Sequence, residues 1–221
     1  MEPEWLREVL VVEDEAFVRG LVVQVVQDAG FVALPAADAA SALSLVAEAD
    51  PDAAILDIDL GPGPSGLDLA EVLLEQMPHL AIVFLTQAAA PDVAQRSGAA
   101  PERAAYLVKR SLGDPSILIE ALELVLADGD PHRGFRKDRE RDDPLARLSA
   151  GQRDTLRLIA EGLSNEEIAR QRSTSVRAVE AMVSRIFVIL GVAGDRSLNP
   201  RVAATRIYAA HAGLPSLRDT E

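Results

Sequence analysis

The sequence predicts two modules: an α/β domain on a five-stranded, doubly wound parallel sheet, then a small all-α module of four helices. Three observations predict this. Up to residue 128, short apolar runs alternate with segments of helical period. Residues 129–146 are charged, broken by Pro and Gly, and almost free of apolar periodicity, which reads as a linker. After them every signal is helical, and a length of 221 residues suits two small domains better than one large one.

The elements follow in order. Val9-Leu10-Val11-Val12 is a buried strand, and Ala16 to Ala29 carries a helical period that stops at Gly30. Phe31 to Leu34 reads as a second strand, closed by Pro35. Asp38 is a good N-cap for a helix to about Ala49, after which Pro51 breaks the chain. Ala53 to Leu56 is the third strand, Leu67 to Met77 the third helix and Ala81 to Leu85 the fourth strand. The alanine-rich stretch from Ala88 to Pro101 supports at most a short helix. Tyr106 to Val108 is the fifth strand, and Asp114-Pro115 supplies N-cap and N1 of a helix ending near Asp128. In the second module Ser149 with Gln152, and Ser164 with Glu167, form capping boxes. Ser175 caps a third helix and Asn199-Pro200 opens a fourth, while Gly162 and Gly191 end the first and third.

Composition excludes several classes. Hydrophobic residues are 48% and charged residues 26%, ordinary for packed domains, so wholesale disorder is excluded. There is no cysteine, hence no disulfide framework and no thiolate metal site. The first residues lack a basic, then apolar, leader, and no apolar run approaches the roughly 18 residues of a membrane span. A soluble, cytoplasmic protein without a membrane partner is expected. The net charge of −13 divides unevenly: −17 over residues 1–130, +1 over 131–144 and +3 over 145–221. Such asymmetry points to different partners for the two halves.

Ligands of a doubly wound sheet collect at the carboxyl ends of its strands. There the sequence places Glu13 and Asp14 after strand one, Asp57 and Asp59 after strand three, Thr86 after strand four and Lys109 after strand five. In a 2-1-3-4-5 strand order, strands one and three are neighbours, which gathers the carboxylates at the switch point. Carboxylates that close repel unless a cation joins them, and oxygen-only ligands select a hard ion such as Mg²⁺. With a lysine and a threonine facing the same point, the set suits phosphoryl transfer to an aspartate. Solvated loop acids are the bland alternative, and six polar residues at four strand ends weigh against it.

Two other motifs carry less. Gly61-Pro62-Gly63-Pro64-Ser65-Gly66 matches a dinucleotide-binding pattern, yet Pro62 and Pro64 remove two N–H donors a pyrophosphate needs. Asp57-Ile58-Asp59 after a strand resembles the nucleophile and acid of haloacid-dehalogenase-type phosphatases, whereas the Glu13-Asp14 pair on strand one favours a domain that stores one phosphoryl group.

The segments Val11-Val12-Glu13-Asp14-Glu15, residues 51–57 and Ala105-Tyr106-Leu107-Val108-Lys109 resemble the receiver domain of two-component response regulators over roughly residues 7–128. The resemblance implies a flavodoxin-like (βα)5 fold with Asp57 as phospho-acceptor. It further implies Mg²⁺ held by Glu13, Asp14, Asp57 and the backbone carbonyl of Asp59, Lys109 on the phosphoryl group, and Thr86 with Tyr106 as a switch pair. This chain departs from the pattern in a longer loop after Asp57 with Gly61 where proline is common, in Gln87 after the threonine, and in Arg110 after the lysine. From Gln87 we expect reduced access to the phosphoryl site and altered phosphorylation rates.

Leu148 to Leu156, Glu161 to Ala169, Ser175 to Glu180 and Leu190-Gly191-Val192 resemble the LuxR-type helix-turn-helix domain over roughly residues 147–213. On the third helix, Val176, Val179, Val183, Ile186, Phe187 and Leu190 share one face and are expected inside. Arg177, Ala181, Ser184, Arg185 and Val188 share the other, with Glu180 at its edge, as a recognition helix requires. Asn165 and Ser175 are candidates for phosphate contacts. Glu180 and Met182 depart from the family, which more often has a base and a histidine there. A basic excess of only +3 keeps a structural bundle, or a receiver protein without DNA binding, as the bland alternative.

Together these resemblances imply a response regulator of the NarL/FixJ class: a receiver at 1–128, a linker at 129–146 and a DNA-binding module at 147–221. Its expected partners are a histidine kinase, double-stranded DNA and a second copy of itself in a homodimer, and it is expected not to be an enzyme. The acidic receiver and basic module attract, so the unphosphorylated receiver is expected to shield the module. An atypical receiver set by a ligand or partner, or a phosphatase-like enzyme using Asp57 and Asp59, are the alternatives.

Overall fold

A computed structural model of the chain describes residues 7–87, 104–127, 144–193 and 198–212. The stretch from Ala88 to Pro101, most of the linker and part of the loop before the last helix lie outside them. In chain order the first module contains β1 (Glu8–Val12), α1 (Ala16–Asp28), β2 (Val32–Ala36), α2 (Ala39–Ala49), β3 (Ala53–Asp57), α3 (Gly66–Gln76), β4 (Ala81–Thr86), β5 (Ala104–Val108) and α4 (Pro115–Ala127). The second contains α5 (Ala150–Ala160), α6 (Asn165–Gln171), α7 (Val176–Ile189) and α8 (Pro200–Ala212).

All strand pairs are parallel, in the order β2-β1-β3-β4-β5. Because side chains alternate across a strand, each strand feeds two cores. Leu10, Val12, Ala54, Leu56, Ile82 and Phe84 pack under α2 and α3. Val9, Val11, Ile55, Val83 and Leu85 pack under α1 and α4, against Val22, Val26, Leu118 and Leu122.

β2 corrects the sequence reading. It continues through Pro35, which pairs with Val11, and ends at Ala36. β2 is an edge strand, and an edge tolerates a residue without an N–H donor. The caps at Asp38 and Ser149 are complete capping boxes. The box expected at Ser164 is half formed: the Ser164 hydroxyl accepts from the Glu167 amide, while the Glu167 carboxylate turns to Arg170.

The helical module has a larger core of Leu145, Leu148, Leu156, Met182, Ile186, Ile189, Val192 and Ala204. A second group holds Leu158, Ile159, Ile168, Ala169, Val179 and Val183. Leu145 reaches the core from a short 3-10 turn at Pro144–Arg147. On α7, Val176 is exposed in the first turn rather than inside, and Met182 is fully buried. The inward stripe therefore starts at Ala178 and Val179 and drifts by about one residue from the expected wheel.

Candidate functional site

The acidic residues at the carboxyl ends of β1 and β3 do meet. Glu13, Asp14 and Asp57 each offer an oxygen within 4.8 Å of the others, with Glu13 and Asp57 buried and Asp14 exposed. Lys109, just past β5, bridges them: its Nζ donates to Asp57 Oδ2 at 2.9 Å and to Glu13 Oε1 at 3.0 Å. The second oxygen of Asp57 accepts from the Asp59 amide at 3.2 Å. Burial is the largest influence on Glu13 and pushes its carboxyl up, against the pull of Lys109. Burial alone would lower the Lys109 ammonium, but its bonds to Glu13 and Asp57 outweigh this and hold it above the usual lysine value. One lysine leaves net negative charge among three carboxylates. The donor set is entirely oxygen, which fits a hard divalent cation such as Mg²⁺.

The local sequence builds this pocket closely. Gly66, at the start of α3, donates its amide to the Ile58 carbonyl. A Cβ there would lie 2.0 Å from the Asp57 carbonyl oxygen. The last glycine of the dinucleotide-like motif thus lets α3 pack against the end of β3. Thr86 ends β4 and is buried. Tyr106 lies half-buried on β5, its ring stacked on Phe84 with centroids 5.1 Å apart. Its hydroxyl is buried and, among the described residues, has no hydrogen-bond partner. Gln87 and Arg110 are exposed. Asp59 is exposed, with its amide rather than its carboxylate turned to Asp57.

In the helical module, Arg177, Glu180, Ala181 and Ser184 are exposed along α7. Asn165 and Ser175 are half-buried. Arg185, expected on the same open face, is turned instead to the first module: its Nη1 lies 2.6 Å from Glu8 Oε1. Ser175 donates its backbone amide to the Ala47 carbonyl at 3.2 Å. Arg172, in the turn before α7, grips Asp50 through Nε and Nη2, both at 2.9 Å. The Ser149 hydroxyl donates to buried Asp52. These contacts join the amino ends of β1 and β3 and the end of α2 to α5 and α7, at the opposite end of the sheet from Asp57.

Residues 9–123 match the response regulator receiver domain family, and residues 146–199 match the luxR family of bacterial regulatory proteins. The chain is a response regulator of the NarL/FixJ class. The DNA-binding transcriptional activator DevR/DosR of Mycobacterium tuberculosis is 31% identical, over 90% of this chain and 93% of its own length. The nitrate/nitrite response regulator NarP of Escherichia coli is 30% identical, over 93% of this chain and 96% of its own. The oxygen regulatory protein NreC of Staphylococcus haemolyticus is 29% identical, over 82% and 90%. This regulator is thus a transcription factor and not an enzyme, which answers the phosphatase alternative. Among its described residues no helix is long and apolar enough to cross a membrane.

Sequence reading missed two features of this regulator. Arg19 on α1 donates Nη1 to the carbonyls of Glu13 and Asp14, at 2.7 and 3.2 Å, and so fixes the loop that carries both acids. Its spacing of five and six residues from them was the available signal. Glu8, Asp50, Asp52 and Arg172 join the two modules, and no spacing marks them, because their partners lie about a hundred or more residues away.

Proposed function

We propose that the regulator is a receiver at 1–128 and a DNA-binding module at 147–221, joined by a linker at 129–146 and switched by phosphorylation of Asp57. A histidine kinase would supply the phosphoryl group. A carboxylate oxygen of Asp57 attacks phosphorus while the bond from phosphorus to the kinase imidazole nitrogen breaks. Mg²⁺, held by Glu13, Asp14, Asp57 and the Asp59 carbonyl, would neutralise charge on the transferred oxygens. Lys109, already within 2.9 Å of Asp57, would do the same from the β5 side. Thr86 and Tyr106 would rearrange around the new group, and the unpartnered Tyr106 hydroxyl gives that ring freedom to find another partner.

The output is release of the DNA-reading surface. The observation that carries this is the receiver's hold on α7 and the turn before it: Glu8 takes Arg185, Ala47 takes the Ser175 amide, and Asp50 takes Arg172. Freed, Arg177, Glu180, Ala181, Ser184 and Arg185 would read the major groove while Asn165 and Ser175 contact phosphates. One module reads a short half-site, so a homodimer on paired half-sites in the cytoplasm completes the reading. Exposed Phe17 and Leu21 on α1, with Ile117 and Leu124 on α4, offer a second copy an apolar surface.

The test is incubation with Mg²⁺ and acetyl phosphate, then intact mass and DNA binding, for wild type and Asp57→Asn. One added phosphoryl group in wild type alone, with stronger DNA binding, is expected. No gain in wild type refutes the phosphoryl switch and turns attention to a receiver set by a ligand or partner, for which exposed Gln87 and Arg110 beside the pocket are the reason.

A further inference from the structure

Arg201 reaches from the first turn of α8 to the start of α6. Its Nη1 donates to Asn165 Oδ1 at 3.0 Å, and its Nη2 donates to the Leu163 carbonyl. Both acceptors are neutral. Among the described residues no carboxylate lies within ion-pair distance of it, whereas Arg157, Arg170, Arg172 and Arg185 each have one. Arg201 is also half-buried rather than solvated like Arg177 and Arg206. A guanidinium withdrawn from water without a counter-ion is unfavourable, and burial duly lowers its tendency to hold the proton. Five N–H donors in a fork leave it able to bind an anion while keeping both present bonds.

The surroundings say which anion. Asn165 accepts from Arg201 through Oδ1, so its amide NH₂ is left to donate outward. It begins α6, the helix before the recognition helix, and in helix-turn-helix proteins that helix crosses the nucleic-acid backbone. Among the described residues, none of the contacts that bind the receiver to this module involves Asn165 or Arg201. We infer that Arg201 and the Asn165 amide form a phosphate-binding pair for the DNA backbone, with Arg201 both the charge and the group that orients the amide. The inference rests on the module binding DNA and adds Arg201 to its contact set.

The test uses the full chain with Mg²⁺ and acetyl phosphate, and a fluorescent mixed-sequence duplex titrated between roughly 50 and 200 mM salt. Each phosphate neutralised contributes about 0.9 to the slope of log affinity against log salt. Arg201→Gln is expected to weaken binding and lower that slope by about 0.9, while Arg201→Lys keeps the slope. Asn165→Asp gives the guanidinium an internal carboxylate and repels phosphate. It should lower the slope similarly while raising the melting temperature, which separates loss of the site from loss of the fold. A wild-type slope in both Arg201→Gln and Asn165→Asp overturns the inference. Wild-type protein with no salt-dependent affinity for the duplex overturns the DNA-binding reading as well.

Discussion

If the receiver holds the DNA-binding module closed through buried ion pairs, weakening one of them on the receiver side alone should raise DNA affinity without phosphorylation. Asp50→Asn is the cleanest perturbation. Asp50 caps α2 in the left-handed region, with φ 52°, which asparagine adopts as readily as aspartate, so the backbone is preserved. The carboxylate is buried and accepts both N–H groups of the Arg172 fork. An amide accepts one of them and sets an NH₂ against the other. Outright removal of one partner of a buried pair costs about 3–5 kcal/mol, and a charge-assisted hydrogen bond about 1.5–3. Asp154, 3.4 Å from Arg172, remains as a second acid, so the lower range applies. A loss of about 2–3 kcal/mol moves the closed–open equilibrium roughly 30- to 150-fold. Apparent DNA affinity scales with the open fraction, so it rises by that factor up to the limit of the fully open protein. Hydrogen exchange reads the same change without DNA: the Ser175 amide, bonded to Ala47 when closed, should exchange faster by a similar factor. Unchanged exchange and unchanged affinity would refute the closed arrangement as the resting state.

Three further outcomes are expected. Burial raises the carboxyls of Asp52 and Glu8 when the modules close, even with Ser149, Arg185 and Arg7 opposing it around them. Closure therefore takes up protons, its contribution is complete below the ordinary values of 3.8 and 4.5, and it fades as pH rises through the raised ones. An interdomain distance probe should show more opening as pH climbs above the ordinary carboxylate values of 3.8 and 4.5, and the reverse trend would contradict this. Gly66→Ala drives a methyl into the Asp57 carbonyl and should cost on the order of 3 kcal/mol in thermal unfolding; a loss below about 1 would mean that α3 shifts freely. Mg²⁺ should raise the melting temperature of wild type, by about 2.7 kcal/mol of stabilisation at a hundredfold excess over Kd, and not that of Asp14→Ala.

Much of the receiver was legible because its signals are local. A four-residue aliphatic run gave β1, Asp38 and Ser149 gave their helix starts, and the acids at the strand ends were placed together once the strand order was assumed. Pro35 misled because a proline ends an interior strand but not an edge, and edge position is a property of the sheet. Val176, expected inside, is exposed because the buried stripe of α7 starts at Ala178 and Val179 and runs through Met182, a position the wheel had assigned to neither face. The closure contacts were illegible for a different reason. Ser149 was visible as a cap, yet nothing in its neighbours says that its hydroxyl donates across the interface to Asp52. An aspartate after a proline and an arginine in a turn look solvated until two modules dock.

The placement of the contacts limits how phosphorylation could break them. Asp52 precedes β3 and Asp57 ends it, five residues at about 3.3 Å each, so the two lie roughly 17 Å apart. At that distance two unit charges interact by only about 1 kcal/mol at an effective dielectric constant of roughly 20. A phosphoryl group of about −1.5 to −2 replaces the single charge of the Asp57 carboxylate, a net gain of about one negative charge at most on a half already at −17, and the partner it holds is basic. Through space the new charge would thus be weak, and of the sign that tightens closure. β3 cannot carry the signal by sliding, because all five of its residues are buried between two packed layers. Opening must therefore come from repacking of elements that border the pocket, such as the β4 and β5 ends carrying Thr86 and Tyr106. A change at residue 57 that only extends the carboxylate toward Lys109, such as Asp57→Glu, leaves the β4 and β5 ends in place and should leave Arg172 and Arg185 in the receiver's grip.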